Sequence, residues 1–295
     1  METKDSKKVW PEEVRGPIWA VASGKGGTGK TTVAVNLAWV VGEKVQLVDC
    51  DVEEPDAHLF LAGDASALRE VTTQVPWIDQ SKCDFCGLCA QFCQFNALAV
   101  VSRVSLVFPE LCHGCRGCSM LCPHQAISMV SHRVGQMEIR EIGPRLTLLT
   151  GTLDVGSPQA GPVISAVKEL RDPRILTILD APPGTSCSVE STLRGVNRVV
   201  LVTEPTPFGL HDLKLIVELV RLLRLSFGVV INRMVPGQDL VRRYCEEEDI
   251  PVWLEIPEDR RYAEAGARGR ILVDEFPELR AAFVRLVDQL KEADG

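Results

Sequence analysis

The sequence predicts an α/β protein in which a mostly parallel sheet, covered by helices on both faces, is interrupted by a small inserted α+β domain. Three observations carry this prediction. Strand-length apolar runs alternate with segments of helical periodicity along most of the 295 residues, the pattern produced by right-handed strand–helix–strand crossovers. The first strand runs into a glycine-rich loop that opens a helix. The alternation then breaks between residues 75 and 134, where eight of the eleven cysteines crowd into the forty residues from Cys83 to Cys122.

Taken in order, residues 17–22 (PIWAVA) read as a strand, the glycine-rich stretch as a loop and residues 31–41 as a helix. A second strand at 44–48 stops at Asp49-Cys50-Asp51, and a short helix follows around 55–61. After the cysteine-rich segment, a strand at 145–150, a Gly/Pro-punctuated stretch at 151–162 and a helix at 163–170 resume the alternation. Further strands are expected at 175–179, 198–202, 226–231 and 252–255, with helices at 209–223, 239–247 and 276–291. Residues 1–74 and 137–295 therefore form two parts of one domain, with residues 75–136 inserted between them. In the last helix Phe276, Leu279, Phe283, Leu286 and Leu290 make one apolar stripe, while the polar face mixes both charge signs. That pattern predicts packing on the sheet, since a membrane-surface helix would carry a net basic face.

Composition narrows the function classes. With 45% apolar and 24% charged residues the chain is globular rather than fibrous or disordered. Its 32 bases against 40 acids leave a net charge of -8, which argues against nucleic acid as the main partner. No apolar run approaches the roughly 18 residues of a membrane span, and the first fifteen residues are polar, without a signal-peptide core. The expectation is a cytoplasmic protein with no membrane partner. Crowded cysteines without a secretion signal point to metal rather than to disulfides.

Gly24-Lys25-Gly26-Gly27-Thr28-Gly29-Lys30-Thr31 matches G-x-x-x-x-G-K-[ST] between a predicted strand and a predicted helix. The glycines let successive N–H groups turn toward one anion, and the helix N-terminus adds its positive dipole end. Lys30 would pair with the β- and γ-phosphates, and the Thr31 hydroxyl would ligate Mg²⁺. The Lys-Thr pair, without G-x-G-x-x-G, disfavours a dinucleotide site.

With Lys25 directly after the first glycine, the stretch Lys25-Gly-Gly-Thr-Gly-Lys30-Thr31-Thr32 resembles the deviant Walker A family of MinD, Mrp and the nitrogenase iron protein. The resemblance implies a P-loop ATPase that binds ATP or ADP with Mg²⁺ and forms a nucleotide-dependent homodimer in which Lys25 reaches the partner's nucleotide. It also implies that Asp51 orients the attacking water and Asp49 supports Mg²⁺ through water. The run ILTILD-APPG looks like the family's Walker B and switch II, with Asp180 on the Mg²⁺ side and Pro183-Gly184 placed so that the Gly184 N–H senses the γ-phosphate. Asn232-Arg233 and the loop at 256–259 resemble its adenine-contacting positions; turn chemistry is the other reading of both.

Within the insert, C-x-x-C-x-x-C-x-x-x-C occurs twice, 29 residues apart, and the second copy ends in Cys122-Pro123. This is similar to the bacterial two-cluster ferredoxins, whose fourth cysteine ligates the other cluster. The resemblance implies one [4Fe-4S] cluster on Cys83, Cys86, Cys89 and Cys122, and a second on Cys93, Cys112, Cys115 and Cys118. Gln94 stands where ferredoxins often place proline. Zinc is the runner-up, although structural zinc sites pair two C-x-x-C knuckles. His113, His124 and His132 are not expected as ligands, because cysteine already saturates each cluster. Cys187 falls at a spacing from Asp180 similar to that of a cluster ligand of the nitrogenase iron protein; the favoured reading is an ordinary small buried residue. Cys245 is placed on a surface helix, and the C-x-x-C of Mrp-type carriers is absent after Asp180.

These resemblances imply an ATPase coupling nucleotide-dependent dimerisation to electron transfer with a redox or client partner. An iron–sulfur carrier ATPase and a MinD-like positioning ATPase with sensory clusters are the rivals.

Overall fold

Residues 16–292 are described by a computed structural model; the polar first fifteen residues lie outside the described residues. In chain order, β1 (Ile18–Ala22) leads through the glycine loop into α1 (Lys30–Val40) and β2 (Val45–Asp49), followed by a 3₁₀ turn at Ala57–Leu59. β3 (Ala65–Ile78) then runs out to a cysteine-bearing lobe of α2 (Leu88–Phe92), β4 (Leu98–Val101), β5 (Val104–Val107) and α3 (Gly117–Leu121), and β6 (Ile127–Ile142) runs back. The remainder is β7 (Leu146–Leu153), α4 (Ala160–Glu169), β8 (Leu176–Asp180), α5 (Cys187–Leu193), β9 (Arg198–Thr203), α6 (Pro207–Leu222), β10 (Ser226–Met234), α7 (Leu240–Glu247), β11 (Val252–Pro257), α8 (Arg260–Ala267), α9 (Leu272–Glu275) and α10 (Pro277–Glu292).

Among the described residues the main sheet has the order β11-β10-β9-β1-β8-β2-β7-β6-β3. Every pair from β11 to β7 is parallel. Helices cover both faces there, so β1, β2, β8 and β9 are mostly apolar and are buried at successive positions without alternation. On one face α1, α8, α9 and α10 close over Trp19, Leu47, Ile178 and Phe283; on the other, α4 to α7 close over Val48, Leu179, Leu201 and Ile216. As expected, α10 buries Leu279, Phe283, Leu286 and Leu290. No helix of the described residues is long and apolar enough to cross a membrane.

Beyond β7 the sheet turns antiparallel, and this the sequence reading did not foresee. β6 pairs with β7 only from Gly135 to Ile142, whereas it pairs with β3 along nearly its whole length. The part formed by residues 72–78 and 127–133 overhangs the sheet as a two-stranded ribbon carrying the cysteine lobe. The insert is thus continuous with the main hydrogen-bonded ladder, and the strands that bear it begin at Ala65 and end at Ile142. A bulge between Val71 and Thr72 marks the point where the ribbon leaves the body.

Two cysteine expectations need correction. Cys245 is 1% exposed, because it lies on the face of α7 turned to the sheet. Cys187, expected to be buried, is exposed: it opens α5 directly after the Pro-Pro-Gly turn, before that helix packs down through Val189 and Leu193.

Candidate functional site

The glycine loop wraps the C-terminal end of β1, the central strand. Gly27 (φ 80°) and Gly29 (φ 88°) are left-handed, which only glycine adopts without strain, and Gly29 caps the start of α1. Two glycines are also required sterically. A Cβ on Gly24 would lie 2.1 Å from the Asp212 carbonyl oxygen, and one on Gly29 would lie 2.3 Å from Asn232 Nδ2. Thr28, Lys30 and Thr31 are buried, and Thr32 is half-buried.

Parallel register sets the carboxylates. Val21 on β1 is level with Asp180 on β8, and Asp180 is level with Asp49 on β2. Both aspartates are fully buried. Lys30 Nζ donates to Asp180 Oδ1 at 2.8 Å and lies 3.7 Å from Asp51 Oδ2. Asp49 accepts the Asp51 N–H on Oδ1 and the Ala57 N–H on Oδ2, each at 3.1 Å. Burial pushes Asp49 well above the usual carboxylate range, with Asp180 adding to it; it also raises Asp180, against the pull of Lys30. Asp51 is pushed up to about 6, again chiefly by burial. Burial opposes the Lys30 charge, but Asp180, Asp51 and Asp49 outweigh it, so its pKa lies above the ordinary lysine value. Three carboxylates therefore share one ammonium, and Asp180 Oδ2 is buried without a partner. An unpaired, buried carboxylate oxygen beside the Thr31 hydroxyl suits a hard divalent cation such as Mg²⁺.

Other expected residues fall around the loop. Asn232 donates from Nδ2 to the Thr28 carbonyl at 2.8 Å. Beside it a cavity of about 590 Å³ is lined by Gly29, Thr32, Asn232, Arg233 and the 256–259 segment, joining both expected adenine-contacting segments to the phosphate loop. Lys25 lies 3.2 Å from Glu204 of its own chain, and Arg233 pairs with the same carboxylate. The Gly184 N–H donates to the Ser23 carbonyl at 2.9 Å, so in this conformation it faces the loop's own backbone. Pro183 is exposed on the same turn.

Sequence reasoning missed Glu204 and Asp56. Glu204 directly follows β9, at the carboxyl end of a parallel strand, where ligand-facing residues collect. Asp56 belongs to the acidic run after Asp51, has a buried oxygen without a partner, and raises Asp49 and Asp51 through its charge.

In the lobe, the eight cysteines of the repeat line two separate cavities. One is bordered by Cys83, Cys86, Cys89 and Cys122, the other by Cys93, Cys112, Cys115 and Cys118, the same two sets that the ferredoxin resemblance implies. The backbone repeats with the sequence. Left-handed residues occur in pairs 29 positions apart: Phe85 and Gly114, Gly87 and Arg116, Asn96 and Gln125. Hydrogen bonds to sulfur repeat likewise, with Ala97 N donating to Cys93 Sγ and Ala126 N to Cys122 Sγ, both at 3.4 Å. Among the described residues no three His, Cys, Asp or Glu side chains converge as ligands of a single metal ion; the thiols instead stand around each cavity's wall. His113 stacks on Phe95 at 3.8 Å between ring centroids, and His124 pairs with Asp84.

Residues 19–273 match the family model described as the CobQ/CobB/MinD/ParA nucleotide binding domain. The chain is 30% identical over 259 residues to an uncharacterized protein, MJ0579, of Methanocaldococcus jannaschii, covering 85% of this chain and 90% of the relative. It is 24% identical over 321 residues to an iron-sulfur cluster carrier protein of Pyrococcus furiosus, covering 99% and 91%. Among solved structures, the cell division ATPase MinD of Pyrococcus furiosus superposes with a TM-score of 0.57 at 21% identity, covering 94% of this chain and 99% of that one. The septum site-determining protein MinD of Pyrococcus horikoshii, complexed with Mg-ADP, gives 0.59 at 20% identity, covering 95% and 98%. At such identities the structures establish the shared fold. The family match spans most of the chain and contains the phosphate loop, both buried aspartates and, apart from Phe283, the residues that line the adjoining cavity: the protein belongs to the CobQ/CobB/MinD/ParA nucleotide-binding family.

Proposed function

We propose that the protein is an Mg-ATP-dependent ATPase whose nucleotide state is coupled to electron transfer through two [4Fe-4S] clusters. The carrying observation is that two four-cysteine cavities sit on a ribbon whose strands extend the same sheet as the phosphate loop. Asp180 and Thr31 would hold the metal, with Asp49 fixed behind them, and Asp51 would accept or orient a water proton. Lys30, paired with Asp180 here, would leave it for the β- and γ-phosphates, and that exchange frees a carboxylate for the cation. Lys25 would leave Glu204 to reach the partner's nucleotide across a homodimer. The two cysteine sets suit a polynuclear group, because the thiols surround a cavity and left-handed turns aim backbone N–H groups at sulfur. Bound clusters would supply one-electron chemistry; the chain's part is to hold them in one lobe and tune them through those N–H groups. The test is anaerobic cluster assembly followed by potentiometry with Mg-ATP, with Mg-ADP and without nucleotide. Potentials that are the same in all three states would refute the coupling.

A second reading, an ATPase that hands clusters to other proteins, rests on the Pyrococcus relatives described as iron-sulfur cluster carriers. It requires labile clusters. Transfer to an added apo-ferredoxin would support it, and clusters that survive a chelator and never move would exclude it.

A further inference from the structure

The 29-residue repeat makes the two halves of the lobe alike, but their surroundings differ. The second half faces the nucleotide-binding body. Gln159, at the N-cap of α4, donates from its side-chain amide to the Cys112 carbonyl; the neighbouring Gly114 turn lies against the ribbon, where a Cβ would come within 3.2 Å of the Gln74 carbonyl oxygen. At the equivalent place in the first half, Cys83 has as its neighbour Ser105, a residue of the lobe itself, at 3.3 Å. Along the ribbon the cavity of Cys112 is flanked by Pro76 and Met129, and that of Cys83 by Ile78 and Ile127. The Cys112 cavity is therefore the inner one by two residues, about 7 Å of strand.

Gln159 ends a short connection, residues 154–159, whose two flanking elements contact the segment after Asp51 and the end of α5. At its start Leu153 donates its N–H to the Val52 carbonyl at 2.8 Å, one residue beyond Asp51. At its end begins α4, whose Lys168 donates to the Ser191 and Thr192 carbonyls at 2.8 Å and to that of Arg194 at 3.1 Å. Those carbonyls close α5, the helix that follows the Asp180–Gly184 turn. α4 itself is seated firmly on the β6–β7 part of the main sheet, next to the point where the ribbon leaves it: a Cβ on Gly135 or Gly151 would lie 2.9 Å or 3.1 Å from Val163 methyl carbons. The connection between β7 and α4 thus ends in a side chain that bonds the Cys112 loop.

We propose that Gln159 is a positioning residue through which the nucleotide state acts selectively on the inner cysteine set, Cys93, Cys112, Cys115 and Cys118, leaving the outer set unaffected. This rests on the ATPase and two-cluster reading above, and adds to it which cluster responds and by what contact. A displaced Cys112 carbonyl moves the Gly114 N–H, which donates to Cys112 Sγ at 3.4 Å. N–H donation to a ligand sulfur is one of the determinants of cluster potential.

The test compares the full-length protein with Gln159→Met, which keeps the side chain's length and removes the donor. Amide hydrogen exchange is followed with Mg-AMP-PNP, with Mg-ADP and without nucleotide, and after anaerobic cluster assembly the two potentials are assigned using Cys86→Ser and Cys115→Ser. In the parent protein AMP-PNP should change exchange at residues 112–118 but not at 83–89, and shift only the potential lost in Cys115→Ser. In Gln159→Met both responses should be lost while AMP-PNP affinity and iron content stay unchanged. Nucleotide responses that persist in Gln159→Met, or that fall equally on both halves, would overturn the assignment. A chain that assembles no clusters would refute the two-cluster reading, and the exchange data would still decide the role of Gln159.

Discussion

Replacing Asp51 by asparagine should stabilise the nucleotide-free protein while abolishing hydrolysis. The Asp51 carboxyl is pushed from 3.8 to about 6, because its burial outweighs the attraction of Lys30. A raised carboxylate pKa means that the folded protein holds the proton more tightly than the unfolded chain, so the ionised side chain destabilises the fold above the folded pKa. Each tenfold change in proton affinity is worth about 1.4 kcal/mol, so at pH 8 the charge costs about 3 kcal/mol. Lowering the pH through 6 removes the penalty progressively, and at pH 5 roughly half of it is gone. Asp51→Asn should therefore melt about 5 °C above the parent at pH 8 in scanning calorimetry. The gap should shrink by about half at pH 5, and the exposed Asp64→Asn should melt with the parent at both. An Asp51→Asn protein that melts at or below the parent at pH 8, or whose advantage does not fall with pH, would refute the claim that this carboxylate is held ionised against the fold. Such a penalty is expected of a side chain whose partner arrives with the substrate.

Lys30→Met should abolish binding of a fluorescent ATP analogue and, by leaving Asp180 and Asp49 buried without a cation, lower stability by about 3 kcal/mol in denaturant titration. In Gly29→Ala the new methyl must displace the Asn232 amide, at a residue with φ 88°; ATP affinity measured by calorimetry should fall at least about tenfold, or about 1.4 kcal/mol. Cys93→Ser tests the crossed ligand assignment. Iron per chain should fall from about eight to about four, and the spectrum that disappears should be the one lost in Cys115→Ser, not in Cys86→Ser.

The parallel half of the molecule was legible because its strands are buried on both faces and therefore stand out as apolar runs between helices. Each main-sheet strand from β1 to β11 other than β3 and β6 lies within a few residues of its expected place, and the phosphate loop, Asp49 and Asp180 stand where the motif order put them. β3 and β6 were hidden for a physical reason. β3 and β6 have solvent on much of both faces, so Arg69, Glu70, His132 and Arg133 are interspersed with Val71, Val75 and Val134 and no clean alternation survives. The cysteine spacing anticipated which four cysteines line each cavity but carried no information on which group faces the body; the contact that shows it comes from Gln159, a polar residue in a Gly/Pro-rich connection without a motif. Glu204 was equally silent. Its pairing with Lys25 and Arg233 exists only because β1 and β10 flank β9 in the sheet and bring distant segments together.

The continuity of β3 and β6 with the sheet also constrains how nucleotide could act on the lobe. Had the insert been joined by flexible linkers, nucleotide-driven dimerisation would reposition it as a body about a hinge. Here eight consecutive residues of β6 are laddered to β7, β7 is laddered to β2, and β2 carries Asp49. Swinging the lobe as a whole would break several strand hydrogen bonds, each worth about 1 kcal/mol net, and would expose the Val163 contacts with Gly135 and Gly151. Reshaping residues 155–159 breaks none of them, while Asp154 stays tied to the Val134 carbonyl and to Arg133. The left-handed Gly156 lies in open space, and Val155 is fully exposed. The lower-energy response to a shift in the Asp51 loop or in α5 is therefore local: the ribbon stays fixed, the connection moves, and the Cys112 loop moves with it.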